Sequence, residues 1–384
     1  MQFSSHSNKR IASVYISGKV FCCFILCLVT GIPQICSQTP SLDHMIGQML
    51  MVGFRGLEVD ETHPVVRDIR DHHIGGVVLF DKDVAADSSV RNIQSAEQLR
   101  TLVHDLQSFA STPLFVAIDC EGGLVNRLKE AYGFAPTVSA QFLGQRDDLS
   151  LTLAQADTVA ATLAGLGINV NLAPVVDLNV NPDNPVIGSR RRSFSAEPDV
   201  VVRHALVFIK AHHRQNVLTT LKHFPGHGSS DADSHLGMVD VTAMWTEAEL
   251  EPYRRIIQTG ETDIVMTAHV YNARLDSLYP ATLSKRIITG ILREDLGFDG
   301  VVITDDLQMK AVTDEYGFRT VIRSALDAGA DMLVFANNMV YGENITTQVI
   351  GIIKDLIDAG TITPERIEAS YRRIMKLKND LQPQ

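Results

Sequence analysis

The stretch "KHFPGHGSSDADSH", residues 222–235, carries a lysine, three histidines and two aspartates. Side chains of these types bind metals, move protons or hold hydroxyl groups. His223 and His227 are four apart, the spacing of two ligands on one helical face, but Pro225 and Gly226 lie between them, so helical spacing has no meaning here. A loop that gathers ligands for a metal that activates water is still one reading. In a second reading, a carboxylate attacks a sugar carbon while a separate acid protonates the leaving oxygen. Asp305, in the apolar run "GVVITDDL", suits the attacking carboxylate because its strand is rigid. Asp233 and His235, two apart in a Gly/Ser-rich loop, suit the acid, since a nearby carboxylate supports the protonated imidazole. Taken alone, "SSDADSH" reads as an acidic surface turn.

Positioning such groups requires a scaffold. Eight runs of branched apolar residues are too continuous for half-exposed strands and read as parallel strands buried on both faces. They are Gln48–Phe54, Gly75–Phe80, Pro113–Cys120, Ile168–Leu178, Val217–Phe224, Asp263–Val270, Gly300–Leu307 and Asp331–Asn338. Stretches of helical periodicity separate most of them; "TEAELEPYRRIIQTG" opens with Thr246 and Glu249 in capping-box spacing and ends at Gly260. This alternation predicts an α/β fold, a (β/α)8 TIM-type barrel forming a single catalytic domain over residues 38–384. A doubly wound open sheet is the alternative, but no glycine-rich phosphate fingerprint follows the first strand. Barrel sites gather at the C-terminal ends of the strands, and polar residues cluster there: Asp119, Asp177, Lys222 with His223, His269, and Asp305 with Asp306.

Three motifs in order, "AIDCEGGLVNRL", "LKHFPGHGSSDADSH" and "GFDGVVITDDLQM", resemble glycoside hydrolase family 3, in its β-N-acetylglucosaminidase branch. The likeness runs from "IGQMLMVGF" to "PERIEASYRRIMKLK". It implies that Asp305 is the nucleophile of a retaining mechanism, that Asp306 is structural, and that Asp233 and His235 form the acid/base pair. It further implies that His227 shapes the loop and that Lys222 and His223 hold sugar hydroxyls. Asp119 and Arg127 would grip the non-reducing sugar, a carboxylate accepting from vicinal hydroxyls while an arginine fork donates. In "NPVIGSRRRSFS" the substrate arginine aligns with Arg192, with Arg190 competing, and His269 would line the pocket. Cys120 stands where the family commonly has glutamine. Some members carry a second domain after the barrel; this chain is expected to rely on barrel loops alone. The implied activity is exo-acting removal of N-acetylglucosamine from peptidoglycan fragments or chitooligosaccharides. A family 3 β-glucosidase, an N-acetylglucosaminide phosphorylase and a non-catalytic carbohydrate-binding barrel are the alternatives. No cofactor or metal is expected, and the partner is an oligosaccharide or glycopeptide bound by a monomer.

Residues 1–37 have the order of a secretory signal peptide: Lys9, Arg10 and Lys19, then the apolar run Val20–Ile32, then "PQICSQ" with Ser37 before a polar start. The run is about 13 residues, short of the roughly 20 that span a bilayer, so no stable membrane span is expected in the mature chain. Ile35 stands where a lipoprotein signal takes a small residue, which argues against lipidation at Cys36. An exported protein, periplasmic or extracellular, is therefore expected. Four of the five cysteines lie in this leader, so Cys120 has no partner for an internal disulfide. Removing the leader takes the formal charge from −11 to −14. An acidic body argues against a nucleic-acid partner, whose phosphates need a basic face.

Overall fold

The structure is a computed structural model that describes residues 40–234 and 237–381. The signal-peptide segment 1–37 and His235 lie outside the described residues.

All eight apolar runs contain a strand: β1 Leu50–Gly53, β2 Gly76–Leu79, β3 Phe115–Ile118, β4 Val170–Asn171, β5 Leu218–Phe224, β6 Ile264–Thr267, β7 Val301–Ile303 and β8 Leu333–Phe335. Each strand pairs in parallel with its neighbour in one eight-stranded sheet ordered β7-β6-β5-β4-β3-β2-β1-β8. The ends of that order meet through a parallel bridge between Ile303 and Met332, closing the barrel. Alternation along a strand decides what faces the lumen. Val78, Met266 and Val334 line the cavity at the barrel mouth, whereas their buried strand neighbours Val77, Val265 and Leu333 point toward the helical layer.

The ordered strands are shorter than the apolar runs, for local reasons. Gln48 closes helix α1, Leu42–Gln48, instead of opening β1. Pro174 has no N–H to donate to the ladder; beyond Asn171 single backbone bonds continue, Leu172 to Ile118 and Thr220 to Ala173, before a bridge between Val175 and Lys222. Beyond β3 the chain turns into an antiparallel ribbon, Cys120–Gly122 against Val125–Asn126.

Helices follow the strands. Helices Ala96–Ser108 and Leu149–Gly165 start at side-chain caps, Ser95 accepting from the Gln98 amide and Asp148 from the Ser150 and Leu151 amides. The capping box expected at Thr246 is not formed: the Thr246 side chain caps nothing, and Glu249 turns inward to accept from the Gly228 amide at 3.0 Å. A tertiary partner outcompetes the local one. Among the described residues no helix is long and apolar enough to cross a membrane.

The C-terminal helix Pro364–Asp380 packs where β1 and β2 begin. Its Lys378 ammonium, pushed down to about 7 by burial, donates to Gln48 Oε1 and to the Gly75 carbonyl, each at 2.8 Å. Asp331, fully buried before β8, accepts from Arg293 Nη2 at 2.5 Å, Ser370 at 2.7 Å and the Val302 amide at 3.0 Å. It thus joins β7, β8 and the C-terminal helix. Removing one partner of a buried pair strands the other charge, so Asp331→Ala should lower unfolding stability by about 3–5 kcal/mol. Urea denaturation monitored by circular dichroism measures this, and a loss below about 1 kcal/mol would show that Asp331 is not the clasp.

Candidate active site

A cavity of about 480 Å³ opens at the C-terminal ends of the strands, within the size range of small-ligand sites. Of the nine residues singled out from sequence, seven line it: Asp119, Arg127, Arg192, Lys222, His223, Asp233 and Asp305. His235 lies outside the described residues, and His269 is buried against Thr282 and the Asp306 carbonyl.

The floor is an ion network. Lys222, from β5, donates to Asp119 Oδ1 at 2.8 Å and reaches Glu121 Oε1 at 2.7 Å. Arg192 forks onto Glu121, Nε to Oε2 at 2.8 Å and Nη2 to Oε1 at 2.7 Å. Arg127 Nη2 donates to the other oxygen of Asp119 at 2.9 Å. Burial alone would neutralise these groups, but the pairing wins. Lys222 and Arg127 hold Asp119 well below the usual carboxylate range, and Arg192 and Lys222 hold Glu121 down. Against the same burial, Asp119 and Glu121 raise Lys222, while Glu121 raises Arg192. The two arginines of the competing alignment separate here: Arg192 is bound into the floor, its side chain 11% exposed, while Arg190 reaches the cavity from the exposed rim.

A second carboxylate, Asp177, organises the wall. Its Oδ2 pairs with His223 Nδ1 at 2.7 Å, and its carboxylate also accepts the His223 and His227 amides, at 3.1 and 2.8 Å. Despite burial, His223 and His227 hold Asp177 below its ordinary value. With Nδ1 carrying the proton toward Asp177, His223 Nε2 is the acceptor for Arg192 Nη2 at 3.2 Å. His227 is buried inside the loop, bonded through Nδ1 to Ser230 Oγ at 2.8 Å and through Nε2 to Ser234 Oγ at 3.3 Å. Burial pushes it down to about 4. Its nitrogens serve the loop, and among the described residues no group of three or more His, Cys, Asp or Glu side chains is placed to hold a metal ion.

Asp305 stands just beyond β7 and lines the cavity, with Oδ1 accepting the Asp306 amide at 2.8 Å. Asp306 instead accepts the Gln308 and Ala336 amides, at 3.1 and 3.0 Å, linking the end of β7 to that of β8. The buried His269 ring is held by Thr282 Oγ1 and by the Asp306 carbonyl, each at 2.9 Å. Through the Asp306 carbonyl it supports the backbone of the Asp305–Asp306 turn. Cys120, 1% exposed, has its thiol pushed up to about 12 by burial.

Sequence reasoning left Glu121 and Asp81 without a role. Glu121 is two residues past Asp119 in an extended segment, so both side chains leave the chain on one side; that spacing was the available signal. Asp81, buried at the end of β2, pairs with Lys129 and lies 3.6 Å from Arg127 Nη1, steadying that arginine from behind. A cavity floored by locked charges, with the Asp305 carboxylate just beyond β7, can hold a polyhydroxylated ring and present a nucleophile to it.

Comparison with known proteins agrees with this geometry. Residues 41–377 match the family described as glycosyl hydrolase family 3 N terminal domain. Beta-hexosaminidase A of Pseudoalteromonas piscicida is 33% identical over 393 residues, covering 92% of this chain and 64% of its own length. A beta-hexosaminidase of Tolumonas auensis is 35% identical over 292 residues, covering 75% of this chain and 83% of its own. Among solved structures, a glycoside hydrolase family 3 beta-N-acetylglucosaminidase from Paenibacillus sp. has a TM-score of 0.81 at 34% identity, covering 89% of this chain and 62% of that one. A beta-N-acetylhexosaminidase from Beutenbergia cavernae has a TM-score of 0.78 at 27% identity, covering 89% and 99%. The chain thus spans less than two thirds of the length of the Pseudoalteromonas and Paenibacillus proteins.

The floor makes a pH prediction. Glu121 is held below its ordinary value of 4.5 in the fold. Its contribution to stability is therefore complete above that value and is lost as the pH falls through the folded one. Glu121→Gln should lower stability at neutral pH and make the acid limb, below about pH 4, less steep. Stability measured by denaturant titration across pH tests this; a variant whose acid limb is parallel to that of the wild type would remove Glu121 from the network's energetics.

Proposed function

Since the chain belongs to glycoside hydrolase family 3, with residues 41–377 forming its N-terminal-type barrel, we propose that it is an exo-acting, retaining β-N-acetylhexosaminidase. It would release terminal non-reducing N-acetylglucosamine from peptidoglycan fragments or chitooligosaccharides. The observation that carries this reading is the placement of Asp305 in one cavity with the charge-locked floor of Asp119, Arg127, Arg192, Lys222 and His223.

In the reaction the terminal sugar sits on that floor. Asp119 has lone pairs left for hydroxyl protons, and the paired cations donate to hydroxyl oxygens. A carboxylate oxygen of Asp305 attacks the anomeric carbon as the glycosidic carbon–oxygen bond breaks. The leaving oxygen takes a proton from the His235 imidazolium, whose charge Asp233 supports. Water then attacks the glycosyl-aspartate, returning one proton to His235 and freeing the Asp305 carboxylate. The relatives named as beta-hexosaminidases support the substrate class. The basic and apolar order of residues 1–37 supports an exported, periplasmic or extracellular setting.

Release from aryl N-acetyl-β-glucosaminide is expected to exceed release from the matching β-glucoside. Asp305→Ala should abolish turnover, on the order of a 10⁴-fold loss or more, as on removal of other covalent nucleophiles. A glucoside turned over equally well would sink the hexosaminidase reading, and an active Asp305→Ala protein would remove Asp305 as nucleophile.

A further inference from the structure

Glu249 is a carboxylate that the reaction above does not use, yet it is only 1% exposed. It lies where the 3₁₀ turn Glu247–Leu250 becomes the helix Glu251–Gln258. Its partner belongs to the segment that follows β5: the Gly228 amide donates to Glu249 Oε2 at 3.0 Å. The fit around that bond is close on both sides. Gly226 has φ +117°, and a Cβ there would fall 2.6 Å from Glu249 Cβ and 2.9 Å from its Oε2. A Cβ on Gly228 would fall 1.7 Å from the Leu178 carbonyl oxygen. The Gly226–Gly228 backbone is thus pressed between the chain beyond β4 and the side chain of Glu249, and only glycine fits.

A buried carboxylate is a costly way to fill space. Burial, reinforced by the negative charge of Asp177, pushes Glu249 up to about 7. The Ser229 hydroxyl and amide lie against the same carboxylate and oppose that rise, while the Tyr253 hydroxyl beside them is buried without a hydrogen-bond partner among the described residues. Packing alone would be served better by an apolar side chain of the same length. What an apolar side chain lacks is an acceptor for the Gly228 amide, five residues before Asp233.

We propose that Glu249 is a positioning residue for acid catalysis: it fixes the Gly226–Ser229 hinge from which the chain runs to Asp233 and His235. The inference rests on the assignment of that pair as acid/base in the proposed function. Glu249 touches no substrate; it acts through the loop.

The leaving group separates this role from a general structural one. A 2,4-dinitrophenolate departs without protonation, whereas the leaving sugar of N,N′-diacetylchitobiose needs the acid. In Glu249→Met or Glu249→Ala, kcat/KM on diacetylchitobiose should fall by about 10²-fold while that on 2,4-dinitrophenyl N-acetyl-β-glucosaminide stays within about 3-fold of wild type. The methionine variant keeps the bulk should the alanine variant fail to fold. Glu249→Gln retains an oxygen for the Gly228 amide and should restore diacetylchitobiose cleavage to within about 3-fold. Equal losses on both substrates, no loss on either, or failure of Glu249→Gln to restore cleavage would each overturn the proposal. A wild-type protein that cleaves neither substrate would overturn the proposed function and this inference with it. Wild-type cleavage with unchanged variants removes only the inference.

Discussion

Everything at the mouth of the barrel depends on charge balance in a place that water barely reaches. Lys222 and Glu121 have side chains only 3% and 4% exposed, and neither would keep its charge alone. Each is ionised because its partner is, and Asp119 and Arg192 extend the same bargain outward. The network also spans the barrel wall: Asp119 and Glu121 follow β3, Lys222 sits in β5, and β4 runs between them. Its Asn171 binds both backbone groups of Cys120 through its side-chain amide, at 3.1 Å each, and so fixes where the two acids leave the wall.

That fixed floor makes the neighbouring groups predictable in orientation. Arg192 cannot turn away from Glu121 without unpairing a buried fork, so its Nη2 remains near His223. His223 is held from the other side by Asp177, which also takes the His227 amide in the following loop. One buried carboxylate thereby sets both a cavity-lining imidazole and the exit direction of the segment leading to Asp233. The apolar lumen beneath, with Val78, Leu172, Met266 and Val334, excludes water and keeps these hydrogen bonds strong.

How much of this was legible in the sequence varies with the range of the interaction. The eight strands could be read because burial on both faces leaves a continuous apolar signature, and their bounds ran long because apolar residues continue past the point where the regular ladder stops, as they do beyond Asn171 in β4. Charged strand ends marked Asp119, Lys222 and Asp305 for the same reason: an apolar strand has no packing use for them. Glu121 was invisible in its role because its arginine partner is 71 residues away. The contacts of His269 with Thr282 and the Asp306 carbonyl were not legible, because period-two alternation is lost where the strand ends. Thr246 and Glu249 match a capping box in spacing, but spacing does not record that a buried amide competes for the same carboxylate.

The two halves of the site are anchored differently, one by a strand end and one by a loop root, and the proposed chemistry explains why. Asp305 must meet one carbon along one line, and it sits on a strand end whose neighbour, Asp306, is bonded into the next strand. An acid/base group must serve two partners in turn, first the leaving oxygen and then the incoming water, so a loop suits it better than a ladder. Such a loop still needs a fixed root. Trp245 holds the Pro225 carbonyl at 3.1 Å, Asn184 holds that of His227 at 2.7 Å, and Glu249 holds the Gly228 amide. Each contact contributes only about 1 kcal/mol net, but they converge on four consecutive residues. The root is therefore held from three sides where the chain leaves β5, and the segment to Asp233 starts from that fixed point.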